Sequence, residues 1–483
     1  MEVTRFNYPQ LYSFVKSTLQ KAHFISFDLE FSGLYLHPNL RNTSLDSMEH
    51  RYLKLHTSIT SFCPLQIGLC AFNLMDSGAQ ATPFSFYLYP SSPEVLDRTY
   101  SFQASSMNFL SQHGFDFNKA IGEGLGFLNS KEKQLLKDKE VQAKREFNRA
   151  GVTDEMKAYL NWARDKVLEK PGEEVFLDGE YVKSSVLYYT IRELEKEFEL
   201  IGEVKKEGTC NLGIELKPGK REHTAEDIRG FSEVIDMIQG KPLVGHNMLM
   251  DLMHLYDKFV EPLPPSLYEF LSGINSRFPV VYDTKHMIQS STYLKNFFDK
   301  DYGVIALEES FKTIQKDTER FKNYPIHVDK AISNELPHDA AFDAFSTGSL
   351  FLRLLSLLDT DFKSSHKSLK HLKNTVPVAG RKIPLKLDSK PREENYQDIF
   401  VITLDEHVTP ESVKAVLEQE FGSVAVYKIF WSKDIFYVMP SSLESRELMK
   451  QLSGKTRFEV ENTVGVLRSY HDFVKQEETL WGN

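Results

Sequence analysis

The sequence predicts an α/β core that is interrupted by a mainly helical insertion and followed by a small α+β domain. Apolar runs of strand length stand on both sides of a charge-dense helical region. In the second half of the core such runs alternate with amphipathic helical stretches, which is the pattern of α/β proteins. The chain has 483 residues, more than one domain usually holds, so several domains are expected.

The first half of the core, residues 1–122, is predicted to consist mainly of sheet. Short apolar runs rich in β-favouring residues, with turn signals between them, predict three strands. These runs are "HFISFDLEFSGL" (23–34), "FCPLQIGLCAFNL" (62–74) and "PFSFYLYP" (83–90).

Residues 123–223 are predicted to form the mainly helical insertion. From Lys131 the sequence becomes charge-dense, and a polar, glycine-containing stretch closes the region. The core resumes over residues 224–360, where a buried strand ends in Asp283. An amphipathic helix follows in "ELPHDAAFDAFSTGSLFLRLLSLL".

Two further regions follow the core. Residues 361–395 are predicted to be a basic linker, because Lys363 to Arg392 holds nine Lys or Arg and one acidic residue without a clear period. Residues 396–472 run strand, helix, strand, strand, helix, strand, which is the order of an RRM-like domain.

The composition is that of a soluble globular protein, with 41% hydrophobic and 26% charged residues. No apolar run reaches the ~18 to 20 residues that span a bilayer, so no membrane span is expected. A net charge of −10 argues against a protein that coats nucleic acid with its whole surface. The three widely spaced cysteines, Cys63, Cys70 and Cys210, predict reduced thiols in an intracellular protein.

Two carboxylates, Asp28 and Glu30, stand two residues apart in the apolar opening strand. Residues at i and i+2 of a strand share one face, so both carboxylates would project the same way from a segment that favours burial. Such a pair is costly unless a cation lies between the charges, and a divalent metal ion is the simplest candidate. A D-x-E pair also arises by chance, so the metal hypothesis needs further carboxylates.

Further acidic residues interrupt apolar helices at Asp251 and Asp343. His338 precedes Asp343 by five residues at the helix entrance, from where it can take a proton from an attacking water. Taken singly, each could be a solvent-facing helix residue. His246 and His254 are predicted to be structural, and Asp339 to be an exposed acid in the first helical turn.

The order D-x-E, then D, then H-x4-D resembles the DEDDh group of 3′-to-5′ exonucleases. Longer stretches, among them "CPLQIGL", "SFQASSMNFLSQHGFDFNKAI", "PLVGHNMLMDLMHLYDKF" and "PHDAAFDAFSTG", resemble the poly(A)-specific ribonuclease (PARN) family, including its trimmers of piRNA precursors. The resemblance covers roughly residues 1 to 360. It implies a ribonuclease H-like DEDD exonuclease core that removes nucleotides from RNA 3′ ends and releases 5′-monophosphates.

The resemblance also implies the site and its cofactor. Asp28, Glu30, Asp251 and Asp343 would hold two Mg²⁺ ions, for which Mn²⁺ could substitute, and His338 would be the base. Phe31, Leu34 and Asn247 are candidate RNA contacts, although Phe31 and Leu34 could equally pack in the core. A single-stranded RNA 3′ end is the expected partner, and the family is commonly homodimeric.

Three departures from the family limit what the resemblance implies. Residues 150–223 of the insertion lack the arginine and histidine, separated by three residues, that name the family's small nucleic-acid-binding domain. Trp431 stands near the position of a cap-stacking tryptophan, but the following turn is one residue shorter, which leaves cap binding and simple packing both open. The chain ends "EETLWGN" without the membrane anchor of vertebrate trimmers, so an adaptor protein would have to bring it to granules.

Two other function classes stay open at this stage. One is a catalytically silent RNA-binding scaffold, and the other is a DEDD exonuclease that acts on DNA. Within the favoured class, the sequence does not separate poly(A) tails from small-RNA precursors as the substrate. The expected location is the cytoplasm, with the nucleus or RNA granules as alternatives.

Overall fold

The structure, a computed structural model, divides into two compact units. The first contains Met1–Ser91, Asp97–Asn129 and Phe231–Asn483, and the second Ser92–Leu96 and Ser130–Gly230. The structure describes residues 1–43, 46–90, 98–138, 152–178, 182–207, 211–218, 230–298, 305–322, 324–329, 338–360, 362, 369–381, 383–391, 396, 398–405, 407–429 and 432–481.

The core of the first unit contains a sheet and a set of helices. Its strands are β1 (Glu2–Val3), β2 (Phe24–Phe31), β3 (Pro64–Met75), β4 (Gly78–Tyr87), β8 (Leu243–Gly245), β9 (Val281–Asp283), β10 (Ile326–Val328), β11 (Thr375–Val376) and β12 (Leu385–Lys386), where β5 to β7 belong to the second unit. Its helices are α1 (Tyr8–Lys21), α2 (Met48–Ser61), α3 (Ala104–Gln112), α4 (Phe117–Glu123), α7 (Phe231–Ile238), α8 (Leu249–Leu255), α9 (Leu267–Arg277), α10 (Thr284–Ser290), α11 (Thr292–Phe297), α12 (Leu307–Lys316), α13 (Thr318–Phe321) and α14 (Ala340–Leu357), where α5 and α6 belong to the second unit.

The described strands of the core form one mixed sheet in the order β1-β4-β3-β2-β8-β9-β11-β12, with β10 beside β4. β2, β3 and β4 are antiparallel neighbours, whereas β8 lies parallel to both β2 and β9. The three strands predicted in the first half are present, as is the alternation of strands and helices in the second half. The α/β core predicted from the sequence is therefore confirmed.

The two faces of β2 meet different sets of apolar side chains. Ile25, Phe27 and Leu29 point into the larger apolar cluster, which also contains residues of α1, α7 and α8. Phe24, on the opposite face, stacks on Phe72 and contacts Phe351 of α14. The alternation of β2 therefore turns its even-numbered residues toward α14.

The first half of the core also contains two helices of 14 residues, so the prediction of mainly sheet for residues 1–122 is incomplete. α1 buries Tyr8, Val15 and Leu19, and α2 buries Tyr52, Leu55 and Ile59 among others. In each helix the buried residues are spaced so that they lie on one face. The side chain of Ser47 caps α2 by accepting a hydrogen bond from the backbone N–H of His50, a start signal that the sequence carried.

In its described part the second unit combines helices with a sheet, and the sheet was not part of the prediction for residues 123–223. It contains α5 (Asp154–Glu169) and α6 (Ser184–Glu197). It also contains an antiparallel sheet in the order β5 (Val175–Asp178), β7 (Asn211–Pro218), β6 (Leu200–Glu207). Ile214 and Leu216 are buried and alternate with polar residues. This period of two indicates a strand, although the segment is rich in charged residues.

The segment predicted as a linker, residues 361–395, contributes to the core sheet. β11 pairs in parallel with β9, and β12 pairs with β11 in antiparallel fashion. Leu369, Leu372 and Val376 are buried although lysines stand between them. Lys370 and Lys386 are exposed, so the density of positive charge did not reveal the buried positions beside them.

The C-terminal region contains the predicted element order, extended by two strands and a helix. Its described elements are β13 (Phe400–Thr403), α15 (Pro410–Phe421), β14 (Val424–Ile429), β15 (Ser432–Pro440), α16 (Leu443–Leu452), β16 (Arg457–Val460), β17 (Thr463–Val466), β18 (Arg468–Ser469) and α17 (Tyr470–Trp481). The predicted fourth strand is β16, but it pairs with β17, and β18 instead joins the sheet β14-β15-β13-β18. The RRM-like classification stays a prediction.

Within the described residues, no helix combines the length and the apolar character needed to cross a membrane. Cys63 and Cys70 are buried free thiols, and burial raises the pKa of the Cys63 thiol to about 12. Cys210 lies outside the described residues.

Candidate active site

The first two carboxylates of the site stand on β2. Asp28 pairs in register with Gly68 of β3, and Glu30 pairs with Gln66. Both side chains share the face of β2 that α14 covers, as the spacing of two predicts. The register of β2 against β3 shifts just after Glu30. Asp28 is partly buried and Glu30 is buried, so two anionic side chains lie at a mostly desolvated position.

Asp251 reaches the site from the first turn of α8. The buried carboxylate of Asp283, at the end of β9, accepts a hydrogen bond of 2.9 Å from the backbone N–H of Met248, which precedes α8. Backbone groups of Asp251 itself and of Leu29 in β2 lie near the Asp251 carboxylate and partly oppose the rise in its pKa. Asp251 therefore lies beside the strand that carries Asp28 and Glu30.

Asp343 lies in the first turn of α14, and His338 lies just before that helix. The Asp343 carboxylate accepts a hydrogen bond of 3.0 Å from the backbone N–H of His338. Asp339 is the N-cap of α14 and accepts hydrogen bonds from the backbone N–H groups of Ala341 and Phe342. Asp339 is half-buried rather than exposed as expected, because its side chain is occupied by the capping bonds.

Two residues of β3 hold the start of α14 close to the sheet. The side chain of Gln66, which is buried, accepts a hydrogen bond from the backbone N–H of Ala340 and donates one to Ser85. Gly68 lies so close to the Ala340 carbonyl that any side chain would overlap it. On β2, Ser26 donates a hydrogen bond of 2.6 Å to the carbonyl of Ala344. The helix that carries Asp343 is therefore fixed to the strands that flank Asp28 and Glu30.

Asp343 and Asp251 lie close enough to Asp28 and Glu30 to raise the pKa of both. Burial, followed by repulsion from Asp343, Asp251 and Glu30, raises the pKa of Asp28 well above its usual range. Burial and repulsion from Asp343 and Asp251 do the same to the pKa of Glu30. Burial raises the pKa of Asp251 and that of Asp343 to about 7. The structure therefore brings Asp28, Glu30, Asp251 and Asp343 into one electrostatically strained cluster.

This donor set fits a divalent cation. Ligand atoms of Glu30, His338 and Asp343 all lie within 4.8 Å of one another. Carboxylate oxygens are the ligands that Mg²⁺ and Mn²⁺ prefer in proteins. A bound cation would remove the repulsion that raises the pKa of each carboxyl group, so the electrostatic cost of the cluster is explained by a metal site.

His338 is held in an unusual backbone conformation beside this cluster. Its φ of 68° lies in the left-handed region, which few residues other than glycine and asparagine adopt. Its ring contacts Phe109 and His113 edge to face. Burial and the nearby His113 lower the pKa of His338, while Glu308 opposes that effect. A neutral imidazole is the form that can accept a proton.

The predicted RNA contacts have different surroundings. The Phe31 ring is partly buried and stacks on the buried ring of His254, with 4.2 Å between the ring centroids. Leu34 is 43% exposed, and Asn247 is exposed with a φ of 60° at the end of β8. Trp431 lies outside the described residues.

Sequence reasoning missed the residues that support the site. Gln66 and Gly68 were read only as parts of a strand and of the stretch "CPLQIGL", and His113 only as part of "SFQASSMNFLSQHGFDFNKAI". Lys285, which follows Asp283, is half-buried, and its burial lowers its pKa while Asp283 opposes that effect. A lysine two residues after the end of a buried strand was a signal that could have been noted.

His246 and His254 are built into the core as predicted. His246 lies 2.9 Å from the Thr284 hydroxyl through Nδ1 and 3.1 Å from the carbonyl of Ile305 through Nε2. Burial lowers its pKa to about 4. Burial, with a contribution from Lys258, holds the pKa of His254 well below its ordinary value.

Comparison with known proteins agrees with this site. The family model of the CAF1 family ribonucleases matches residues 3–351. The chain is 31% identical to the human poly(A)-specific ribonuclease PNLDC1 over 365 residues, which are 70% of the chain and 69% of that protein. It is 29% identical to the poly(A)-specific ribonuclease PARN of Xenopus laevis, over 74% of the chain and 63% of that protein.

A third relative is the pre-piRNA 3′-exonuclease trimmer of Bombyx mori, which is 27% identical over 73% of the chain and 71% of that protein. These relatives confirm the resemblance to the poly(A)-specific ribonuclease family. The ribonuclease H-like class predicted for the core is confirmed with it. The chain belongs to the CAF1 family of ribonucleases.

Proposed function

We propose that the protein is a divalent-metal-dependent 3′-to-5′ exoribonuclease that shortens RNA 3′ ends and releases 5′-monophosphates. The observation that carries the proposal is the convergence of four carboxylates from β2, α8 and α14, with His338 beside them. Such a cluster has no structural benefit, because Asp343 and Asp251 raise the pKa of both Asp28 and Glu30.

Each residue has a role in this proposal. Asp28, Glu30, Asp251 and Asp343 would hold two Mg²⁺ ions, and Mn²⁺ could substitute. When bound, the ions would activate the attacking water and neutralise charge on the phosphate. His338 accepts the proton of that water, while its backbone N–H keeps Asp343 oriented. Phosphoryl transfer of this kind needs positioning and charge neutralisation rather than a nucleophilic side chain.

Four side chains are proposed to bind the terminal nucleotides. Phe31 keeps part of its ring accessible while His254 supports the opposite face, which suits base stacking. Leu34 and Asn247 are exposed and offer an apolar and an amide contact. The half-buried ammonium group of Lys285 suits a phosphate of the RNA.

The substrate is proposed to be a poly(A) tail or the 3′ end of a small-RNA precursor, because relatives of both kinds match the chain to similar extents. Sequencing the 3′ ends of RNAs that lengthen when the protein is removed from cells decides between the two. Extended adenosine tails would support the first, and extended small RNAs the second.

The test of the activity uses the purified full chain and 5′-labelled single-stranded RNA in the presence of Mg²⁺. We expect a ladder that shortens from the 3′ end, with nucleoside 5′-monophosphates as the product. Asp28→Asn should abolish the ladder, and His338→Ala should slow it about 10²- to 10⁴-fold while RNA binding is kept. Degradation of RNA by folded Asp28→Asn protein would refute the proposed site.

The same assay also tests two other possible functions of the protein. Shortening of 5′-labelled DNA at the rate of RNA would indicate a DNA exonuclease. RNA binding without any shortening, with either Mg²⁺ or Mn²⁺, would indicate a silent scaffold. The family favours the ribonuclease.

The assembly and location are proposals from the resemblance. A homodimer would give twice the chain mass in light scattering, and an adaptor protein would be recovered with the tagged chain from cells. Fluorescence microscopy of the tagged chain tests the expected cytoplasmic location against the nucleus and RNA granules.

A further inference from the structure

Helix α3 connects two parts of the candidate active site. At its start, Gln103 donates its backbone N–H to the carbonyl of Ser32 at 2.8 Å, and its side-chain oxygen accepts the backbone N–H of Leu34 at 2.9 Å. These bonds join α3 to the loop that follows Glu30. At its other end, Phe109 and His113 contact the ring of His338.

The ring of His338 has little support from its own chain segment. The residue precedes α14 in a left-handed conformation, so the regular geometry of the helix does not set its side-chain direction. The hydrogen bond from His338 to Asp343 is made by the backbone N–H of His338 and does not hold its ring. The direction of the ring therefore depends on the side chains that touch it.

His113 is one of the two aromatic neighbours and is itself fixed. Its ring centroid lies 4.4 Å from that of His338, with 73° between the planes, an edge-to-face arrangement. Its Nδ1 lies 2.8 Å from the backbone carbonyl of Phe109. Because a carbonyl oxygen only accepts, Nδ1 donates its proton to that carbonyl, and this bond holds the plane of the ring.

We propose that His113 is a positioning residue for His338. Its ring, together with that of Phe109, keeps the His338 imidazole turned toward Glu30 and Asp343, whose carboxylate oxygens lie within 4.8 Å of a ring nitrogen. This role rests on the proposed exonuclease function, in which His338 accepts the proton of the attacking water. His113 acts through His338 and is not itself a proton acceptor in the reaction.

Three substitutions separate the ring of His113 from its hydrogen bond. His113→Ala removes both, and His113→Gln keeps an amide donor for the Phe109 carbonyl but has no ring. His113→Phe keeps a ring without the bond. We expect kcat on 5′-labelled RNA to fall about 10- to 100-fold in His113→Ala and His113→Gln, because a small misplacement of a catalytic group is enough for such a loss. His113→Phe should recover most of the rate.

Two further readouts separate positioning from general damage. KM for RNA and the Mg²⁺ concentration for half-maximal rate should change less than about twofold, since His113 is proposed to act only through the base. In a His338→Ala background, measured with excess enzyme, His113→Ala should cause no additional loss, because residues that act through one another are not additive. The control is Gln112→Ala, an exposed neighbour on the same helix, which should match the wild type.

Each contrary outcome is informative. If His113→Ala and His113→Gln are as active as Gln112→Ala, or if His113→Ala slows the His338→Ala protein by the same factor as it slows the wild type, the positioning role is wrong. A failure of His113→Phe to recover activity also overturns it. A wild-type chain that shortens no RNA refutes the proposed function itself, an outcome that needs no His113 variant.

Discussion

Gly68 of β3 lies directly against the backbone carbonyl of Ala340 at the start of α14, with no space for a side chain between them. Gly68 also pairs in register with Asp28 of β2. The same glycine therefore sets how closely the helix carrying Asp343 approaches the strand carrying Asp28.

We predict that Gly68→Ala displaces the start of α14 and slows RNA shortening about tenfold or more. The added methyl group would overlap the Ala340 carbonyl, so stability should also fall by about 1–3 kcal/mol. Single-turnover rates and urea denaturation measure the two effects. Gly122→Ala is the control, because no atom lies within 4 Å of the added methyl group there. Equal activity of the two variants would mean that α14 tolerates displacement.

The sequence predicted the four carboxylates and His338 because charges on apolar faces stand out locally. It did not predict the close approach of Gly68 to Ala340 or the ring contact of His113 with His338. Both connect residues more than 200 positions apart, and each member alone looks ordinary. The sheet of the second unit and the strands β11 and β12 were missed because charged residues alternate with their buried positions.

We predict that Asp28→Asn stabilises the metal-free protein while abolishing activity. Burial is the largest cause of the raised pKa of Asp28. Repulsion from Asp343, Asp251 and Glu30 raises it further. A neutral amide removes that repulsion, and the gain should be on the order of 1 kcal/mol. Urea denaturation in EDTA measures it, with the exposed Asp165→Asn as the control. A less stable Asp28→Asn protein in EDTA would contradict the mutual repulsion.

We predict that Mg²⁺ stabilises the wild-type protein more strongly as the pH rises from 5 to 8. The pKa of Asp251 and that of Asp343 are raised to about 7, whereas both are near 3.9 in the unfolded chain. Between these values the folded, metal-free protein binds more protons than the unfolded chain, so its stability falls as the pH rises. Metal binding requires the deprotonated groups.

Thermal denaturation with EDTA and with excess Mg²⁺ across this pH range measures the difference. The Asp28→Asn variant should show a smaller increase with pH. A stabilisation by Mg²⁺ that is the same at all pH values would contradict the raised pKa values.

We predict that Tyr470→Phe weakens the contact between α17 and α2. The Tyr470 hydroxyl lies 2.9 Å from the backbone nitrogen of Ser47 and 3.1 Å from Nδ1 of the buried His50. Its loss leaves polar groups of α2 without this partner and should cost about 1–3 kcal/mol. Urea denaturation measures the loss, and Tyr427→Phe, at an exposed tyrosine, should be neutral. A neutral Tyr470→Phe would mean that water replaces the hydroxyl.

We predict that His246 makes the protein sensitive to acid. Burial lowers its pKa to about 4, whereas a histidine in the unfolded chain has a pKa near 6.5. Between these values the unfolded chain binds the additional proton, so the stability contributed by His246 is full above pH 6.5 and is lost as the pH falls toward 4. At pH 5 the loss should be about 2 kcal/mol.

His246→Gln tests this prediction, because glutamine keeps an amide donor for the carbonyl of Ile305 but does not titrate. Other groups also titrate over this range, so the quantity to compare is the change in the free energy of unfolding between pH 7 and pH 5 in the two proteins. The wild type should lose more stability than His246→Gln by about 2 kcal/mol. Equal losses would show that His246 is protonated in the folded protein at pH 5, and its buried bonds to Thr284 and Ile305 would then have to accommodate a charge.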